Sequence, residues 1–295
     1  MRNYRNYLLV AIAGILFGTI TVSSQLLKNL GLSLYEISIY TTIFAVLLLA
    51  PVVLIKREYL FKRKDINFFI IYGLIQAFLQ IFQMGGVVLG APVAIVAFLL
   101  YTQPIYTSIF GKFMFSERIS RRKLLAILIA IIGLLVLLKP WNIEKVGNTL
   151  GIAFGLLGGI FLSLWVTYGR KSGLNKKHPI TSTFGMYLFS LTWLFLFAPF
   201  LFLTNNIAIM KFSAYPLEYW VYFLIISFIM FVLPTYIFYK GVQKVSASTA
   251  GVLLLLEPVS ASIIASFLFF QAITYNIILG GFLILLSNYL VISES

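Results

Sequence analysis

Apolar runs of spanning length alternate along this chain with short polar, mostly basic stretches. The runs start near Tyr7, Glu36, Asn67, Pro92, Leu124, Thr149, Ile180, Leu217, Ala247 and Tyr275. A helix of about 20 apolar residues crosses the hydrocarbon core of a bilayer. The pattern therefore predicts an all-α integral membrane protein with ten transmembrane helices. Two of the boundaries are inferred. The stretch from Phe68 to Phe115 is nearly unbroken, and as one helix it would be about 70 Å long against a core of about 30 Å. Gly90-Ala91-Pro92 is the expected turn. The polar segment from Gln271 to Tyr275 divides the last stretch for the same reason.

The basic residues test the span count independently, because loops on the cytoplasmic side carry an excess of Lys and Arg. Every second loop, beginning with the N-terminus, holds Arg2, Arg5; Lys56, Arg57, Lys62, Arg63, Lys64; Lys112, Arg118, Arg121, Arg122, Lys123; Arg170, Lys171, Lys176, Lys177; Lys240 and Lys244. The other loops hold only Lys28, Lys139, Lys145 and Lys211, a split of 18 to 4. A miscount by one span would scramble that alternation, so both termini are expected in the cytoplasm. Arg2 and Arg5 precede the first run as in a signal peptide, yet no small-x-small site follows, and the first span is read as uncleaved.

Composition agrees with the pattern: 61% hydrophobic residues, 10% charged and a mean hydropathy of +1.02 exclude an ordinary water-soluble domain. The net charge of +14 sits in clusters between apolar runs, so anionic lipid headgroups, not nucleic acid, are the expected partner. With no cysteine there is neither a disulfide frame nor a thiolate metal site, and no cofactor or metal is expected. The single histidine, His178, falls in a basic loop.

The chain also repeats itself. Gly14-x-x-x-Gly18 in the first span recurs as Gly155-x-x-x-Gly159 in the sixth, an offset of 141. Gln103-Pro104 in the fourth span aligns with Glu257-Pro258 in the ninth, and Glu117 with Gln271, both at an offset of 154. Five spans per half is an odd number, so the second copy enters the membrane upside down. Two repeats, 1–145 and 146–295, are expected, and inverted repeats are an architecture of secondary transporters.

These residues resemble the drug/metabolite transporter superfamily in its EamA-like ten-helix branch. Ala94 to Glu117, ending in Phe113-Met114-Phe115-Ser116-Glu117-Arg118-Ile119-Ser120, is similar to the end of that family's first repeat. Leu254-Leu255-Leu256-Glu257-Pro258-Val259-Ser260-Ala261 is similar to the matching part of the second. Two positions depart from the pattern: Phe17-Gly18 stands where Trp-Gly is common, and Gln271 replaces an acidic residue. The resemblance implies a carrier of small metabolites, often amino acids or toxic compounds and often exported, in a cytoplasmic (inner), multi-pass, prokaryotic membrane. It also implies a central cavity lined mainly by spans 1, 3, 4, 6, 8 and 9, with spans 5 and 10 peripheral.

Glu257 is the main candidate for substrate binding. It lies 13 residues beyond Lys244, about 20 Å along a helix and so near the midplane. Carboxylates at that depth are costly and mark transport pathways. Glu257 could bind an amine-bearing substrate or couple protons to transport; the plainer reading is a brace for the kink at Pro258. Tyr72, Gln76, Gln80 and Gln83 share one helical face, which either lines a cavity or joins helices. Gln103, with Tyr101 two residues before it, faces the same choice between substrate ligand and kink brace. Trp165 would stack on a substrate or hold an ammonium group, or else pack in the core.

No Walker A loop, HExxH motif, cysteine nucleophile or filter-like repeat is present, which argues against a pump with its own ATPase, an intramembrane enzyme and a channel. A secondary carrier remains, moving amino acids or related zwitterions, or alternatively exporting lipophilic cations in exchange for protons through Glu257. Because the repeats are fused, a monomer suffices, and a homodimer is compatible.

Overall fold

The protein is described from a computed structural model, covering residues 4–89, 91–141, 149–270 and 272–294. All regular structure among the described residues is helical. The elements are α1 (Tyr4–Asn29), α2 (Leu34–Ile55), α3 (Ile66–Val88), α4 (Val93–Tyr101), α5 (Gln103–Phe115), α6 (Arg121–Leu138) and α7 (Thr149–Leu174). They continue with α8 (Pro179–Phe202), α9 (Leu217–Ser227), α10 (Leu233–Val242), α11 (Ala247–Leu253), α12 (Leu256–Leu268) and α13 (Tyr275–Glu294).

Among the described residues, eight segments are long and apolar enough to cross a membrane. A shorter apolar stretch runs Tyr4–Ile20 in α1, and α6 opens with Arg121, Arg122 and Lys123. The turn expected at Gly90-Ala91-Pro92 coincides with the end of α3 and the start of α4, Gly90 itself lying outside the described residues. Gln271 and Lys145, and with Lys145 the expected boundary at 145/146, also lie outside them.

Three segments expected as single helices are interrupted. α4 passes into α5 at Thr102, α9 reaches α10 through a π-helical turn at Phe228–Val232, and α11 reaches α12 through Leu254 and Leu255. A proline follows each interruption: Pro104, Pro234 and Pro258. Proline brings no N–H and its ring crowds the carbonyl one turn back, so the ladder loosens there and not at the proline itself. At the third break the Leu255 N–H turns to the Val252 carbonyl (3.0 Å) and the Glu257 N–H to that of Leu254 (3.0 Å).

The helices enclose a polar interior beside a large apolar core. α1 crosses α12 closely at Gly18, where a Cβ would lie 2.8 Å from the Ala261 nitrogen and 2.9 Å from the Glu257 oxygen. α3 packs between α7 and α8, α4 against α7, and α5 against α7 and α11. α6 and α13 pair mainly with each other. Lipid-facing positions are apolar, as in Leu54, Phe113, Phe200 and Phe282, which is what a hydrocarbon surround favours.

Candidate functional site

Glu257 is the second residue of α12, directly after the break, and its side chain lines a small cavity of about 50 Å³. The walls come from α1 (Phe17), α2 (Ser38, Thr41), α3 (Gln76, Gln80, Gln83), α7 (Trp165), α8 (Tyr187), the π turn (Phe231) and α10 (Thr235). Among the described residues no Lys, Arg or His lines it. Glu257 Oε1 accepts the Tyr101 hydroxyl at 3.1 Å. Gln80 is buried, and its Nε2 donates to Thr42 Oγ1 at 3.3 Å while its Oε1 has no partner among the described residues. Buried amide oxygens in folded proteins are nearly always satisfied, so this one is poised for a donor entering the cavity.

The aromatic wall is preorganised by its own contacts. The Trp165 ring stacks on Phe238 (4.6 Å between centroids) and meets Phe17 edge-on (5.6 Å). Its indole N–H points to Met186 Sδ at 3.1 Å. Tyr187 donates or accepts at Thr235 Oγ1, 2.9 Å away. Faces of this kind attract cations through the ring quadrupole.

The remaining sequence candidates separate. Gln76 and Gln83 line the cavity, and Gln83 also reaches a second space. Tyr72 lies behind the wall, its hydroxyl donating to the Trp165 carbonyl at 2.9 Å. Tyr101 stands between Glu257 and the second space. Gln103 reaches neither space: its Nε2 donates to the Gly251 carbonyl at 2.6 Å and its Oε1 accepts from Thr107 Oγ1 at 2.6 Å. That is the brace geometry, made across the two broken helices. The lining differs from the expected spans, since α2 and α8 contribute Ser38, Thr41 and Tyr187. Thr41 and Thr42 lie three and four positions beyond Ser38 on α2, a polar stripe with a weak sequence signal because single Ser and Thr are common within membrane helices.

The second space is a vestibule of about 740 Å³ that meets the cavity at Ile20, Ile37, Gln83 and Met84. It widens between α4 and α12 toward the turn joining α1 to α2 and the loop before α9, where Lys28, Gly31, Ser33 and Lys211 line it. That end is braced by Glu36, fully buried, which accepts from the backbone N–H groups of Ser33 (2.8 Å) and Ser213 (2.8 Å) and from the Tyr215 hydroxyl (3.0 Å). Burial, with the Glu36 carboxylate beside it, pushes the Tyr215 phenol up to about 12.

The opposite end is held together by contacts between helix ends. Glu117 Oε1 accepts from the Ala247 N–H at 2.7 Å, and its Oε2 from the Ser248 N–H (3.2 Å) and hydroxyl (3.0 Å), so a carboxylate from beyond α5 caps the N-terminus of α11. Lys123 adds a bond to Ser248 Oγ at 3.1 Å. Arg170 Nη1 donates to the carbonyls of Val242 (3.0 Å) and Gln243 (2.7 Å) at the end of α10. Lys177 and Asp65 form an ion pair on the same side.

Comparison with known proteins supplies independent findings. The model of the EamA-like transporter family matches residues 5–139 and again 149–293. An uncharacterized transporter of Archaeoglobus fulgidus is 28% identical over 289 residues, 97% of both chains. A probable amino-acid metabolite efflux pump of Salmonella typhimurium is 36% identical over 109 residues, 36% of this chain and 34% of that protein. A protein of known crystal structure shares the fold with a TM-score of 0.74 at 18% identity, over 99% of this chain and 98% of its own.

Proposed function

The chain belongs to the EamA-like transporter family, a multi-pass membrane protein, and on that footing we propose that it is a secondary carrier exporting amino acids or related amine-bearing zwitterions. The observation that carries this reading is the central cavity itself. Among the described residues it holds one carboxylate, an amide oxygen without a partner and an aromatic wall, and no cationic side chain lines it. Such a set receives an ammonium group, with Gln76, Gln80 and Gln83 available to the polar remainder of the substrate. The partial relative named as an amino-acid metabolite efflux pump supports the substrate class.

The carrier has ten spans: α1, α2, α3, α4 with α5, α6, α7, α8, α9 with α10, α11 with α12, and α13. They form two inverted five-helix repeats, 1–145 and 146–295, with both termini in the cytoplasm of a prokaryotic cell. The helix limits support the repeat. α1 and α7 start 145 residues apart, as do α2 and α8, while α4 and α11, and α6 and α13, start 154 apart. The offset of 145 pairs Gly14 with Gly159, one turn away from the pairing that the glycine motif alone suggests. A Cβ on Gly14 would lie 3.0 Å from the Leu253 oxygen and one on Gly159 2.6 Å from the Leu99 oxygen, positions that correspond at 154. In this orientation the vestibule opens to the outside and the Glu117 and Arg170 contacts close the cytoplasmic end. One chain contains the whole pathway, so a monomer is the functional unit.

Thermal unfolding of the detergent-purified protein tests the substrate class with amino acids, polyamines, quaternary amines and lipophilic cations. A ligand at 100 times its dissociation constant adds about 2.7 kcal/mol to the native state. Stabilisation by zwitterionic amino acids, lost in Glu257→Gln, is the expected result. Stabilisation by bulky cations alone would overturn the metabolite reading in favour of a drug exporter, which the aromatic wall beside a lone carboxylate also accommodates.

A further inference from the structure

The breaks between α4 and α5 and between α11 and α12 are treated differently at their two ends in this structure. At the cytoplasmic side of the breaks α5 and α11 are packed together, with Gly251 against Gln103 and Thr107. The Leu255 N–H bonds to Val252 instead of Gly251, and the Gly251 carbonyl accepts the Gln103 amide at 2.6 Å. At the outer side α4 and α12 line opposite walls of the vestibule, which Ala97, Tyr101, Pro258 and Ala261 all face. At the repeat offset of 154, Glu257 corresponds to Gln103 and Ala97 to Gly251. An inverted repeat reaches its other state by exchanging the arrangements of its halves. The state closed to the outside therefore places Glu257 on the Ala97 carbonyl, as Gln103 lies on that of Gly251 here.

The chemistry at the two positions differs in one respect. A glutamine amide always has a hydrogen to donate, whereas an ionised carboxylate has only acceptors and is repelled by a carbonyl oxygen. We propose that Glu257 must carry a proton for the outer gate to close, its acid hydroxyl donating to the Ala97 carbonyl, so that the Gln103/Glu257 difference between the repeats couples protons to alternating access. With the gate open, Glu257 accepts from Tyr101, the bond suited to the ionised form. A proton from the vestibule binds Glu257, the outer gate closes, and the proton leaves to the cytoplasm when a substrate ammonium takes its place on the carboxylate. One proton moves in for each substrate moved out. Among the described residues, Tyr101 of α4 and Tyr187 of α8 are the titratable groups that share this space with Glu257, and the linings from α1, α2, α3, α7, the π turn and α10 are uncharged. This inference rests on the inverted-repeat carrier reading.

The native chain has no cysteine, so Val93→Cys and Ala265→Cys on the two vestibule walls give a spin-label pair free of background. Distances are read in nanodiscs from pH 9 to pH 5. The expected result is a second, shorter distance whose population grows as pH falls, by at most about tenfold per unit for one proton. In Glu257→Gln that shorter distance is present at every pH and the pH dependence is lost. Gln103→Glu provides the second arm: raising the pH then separates a Thr107→Cys/Gly251→Cys label pair at the cytoplasmic end, because the ionised side chain cannot donate to residue 251. A pH-dependent equilibrium that persists unchanged in Glu257→Gln overturns the proposal, as does a pH-independent equilibrium between two distances in the native sequence; both leave alternating access intact. A single distance under every condition in all variants overturns alternating access itself, and this proposal with it.

Discussion

Gln80 lines the cavity as part of the polar stripe of α3, and its Oε1, without a partner among the described residues, separates two roles. An amide that glues helices would be missed when removed, whereas one held ready for substrate costs the empty protein little. Gln80→Leu is expected to leave the melting temperature of the empty protein unchanged or slightly raised and to abolish most of the ligand-induced shift; thermal unfolding with and without ligand measures both. Glu36 behaves in the opposite way, since three donors converge on it. Glu36→Ala should cost about 2–3 kcal/mol, the scale of orphaning bonds to a charged group, read as a lower midpoint of thermal unfolding. The stripe of Tyr72, Gln76, Gln80 and Gln83 was legible as one polar face, because helical spacing alone places residues on a face. Which members touch the cavity was not legible: Tyr72 differs from Gln76 only in its depth beneath the Trp165 backbone.

The helices show how much of an element is local. Pro92 marks the start of α4, and Ser246 caps α11 through the Thr249 N–H at 3.3 Å, a signature readable in the sequence. His178 caps α8 more unusually, its Nδ1 accepting from the Ile180 N–H at 3.3 Å while its ring stacks on Tyr59 at 4.3 Å. Burial lowers its pKa; the Glu58 carboxylate opposes that and Lys240 adds to it. Because the folded value lies below the unfolded one, the neutral ring contributes stability in full above about pH 6.5. That contribution is lost as pH falls through the depressed folded value. His178→Asn keeps a side-chain acceptor without a titration, so the variant's melting temperature should fall less than the native protein's between pH 7.5 and pH 5. Packing between elements is less local. Gly18→Ala would press a methyl group on the backbone of α12 and on Ser260 Oγ, which bonds to the Ile15 carbonyl at 2.9 Å. A loss of about 1–3 kcal/mol is expected, measurable by thermal unfolding.

At the scale of the molecule, one end is open and the other latched, and the latch is testable. Glu117→Ala removes the carboxylate cap of α11 and should favour opening of the latched end by at least about tenfold, the equivalent of one charge-assisted hydrogen bond. The rate at which a Thr107→Cys thiol, packed against Gly251, reacts with a maleimide added from that side measures it. The sequence by itself determined that the chain is helical and built for a bilayer, because inside hydrocarbon a backbone must satisfy its own hydrogen bonds and the length of an apolar run is a local property. It also carried the marks of the broken helices, since Pro104 and Pro258 loosen the ladder wherever they fall in a helix. Only the tertiary structure decided that Gln103 is held by a carbonyl 148 positions away and Glu257 by a hydroxyl 156 positions away, and that one faces the opposite helix while the other faces the cavity. Those roles depend on which helices meet and at which end they part, and neither fact is written in the spacing of residues along a single helix.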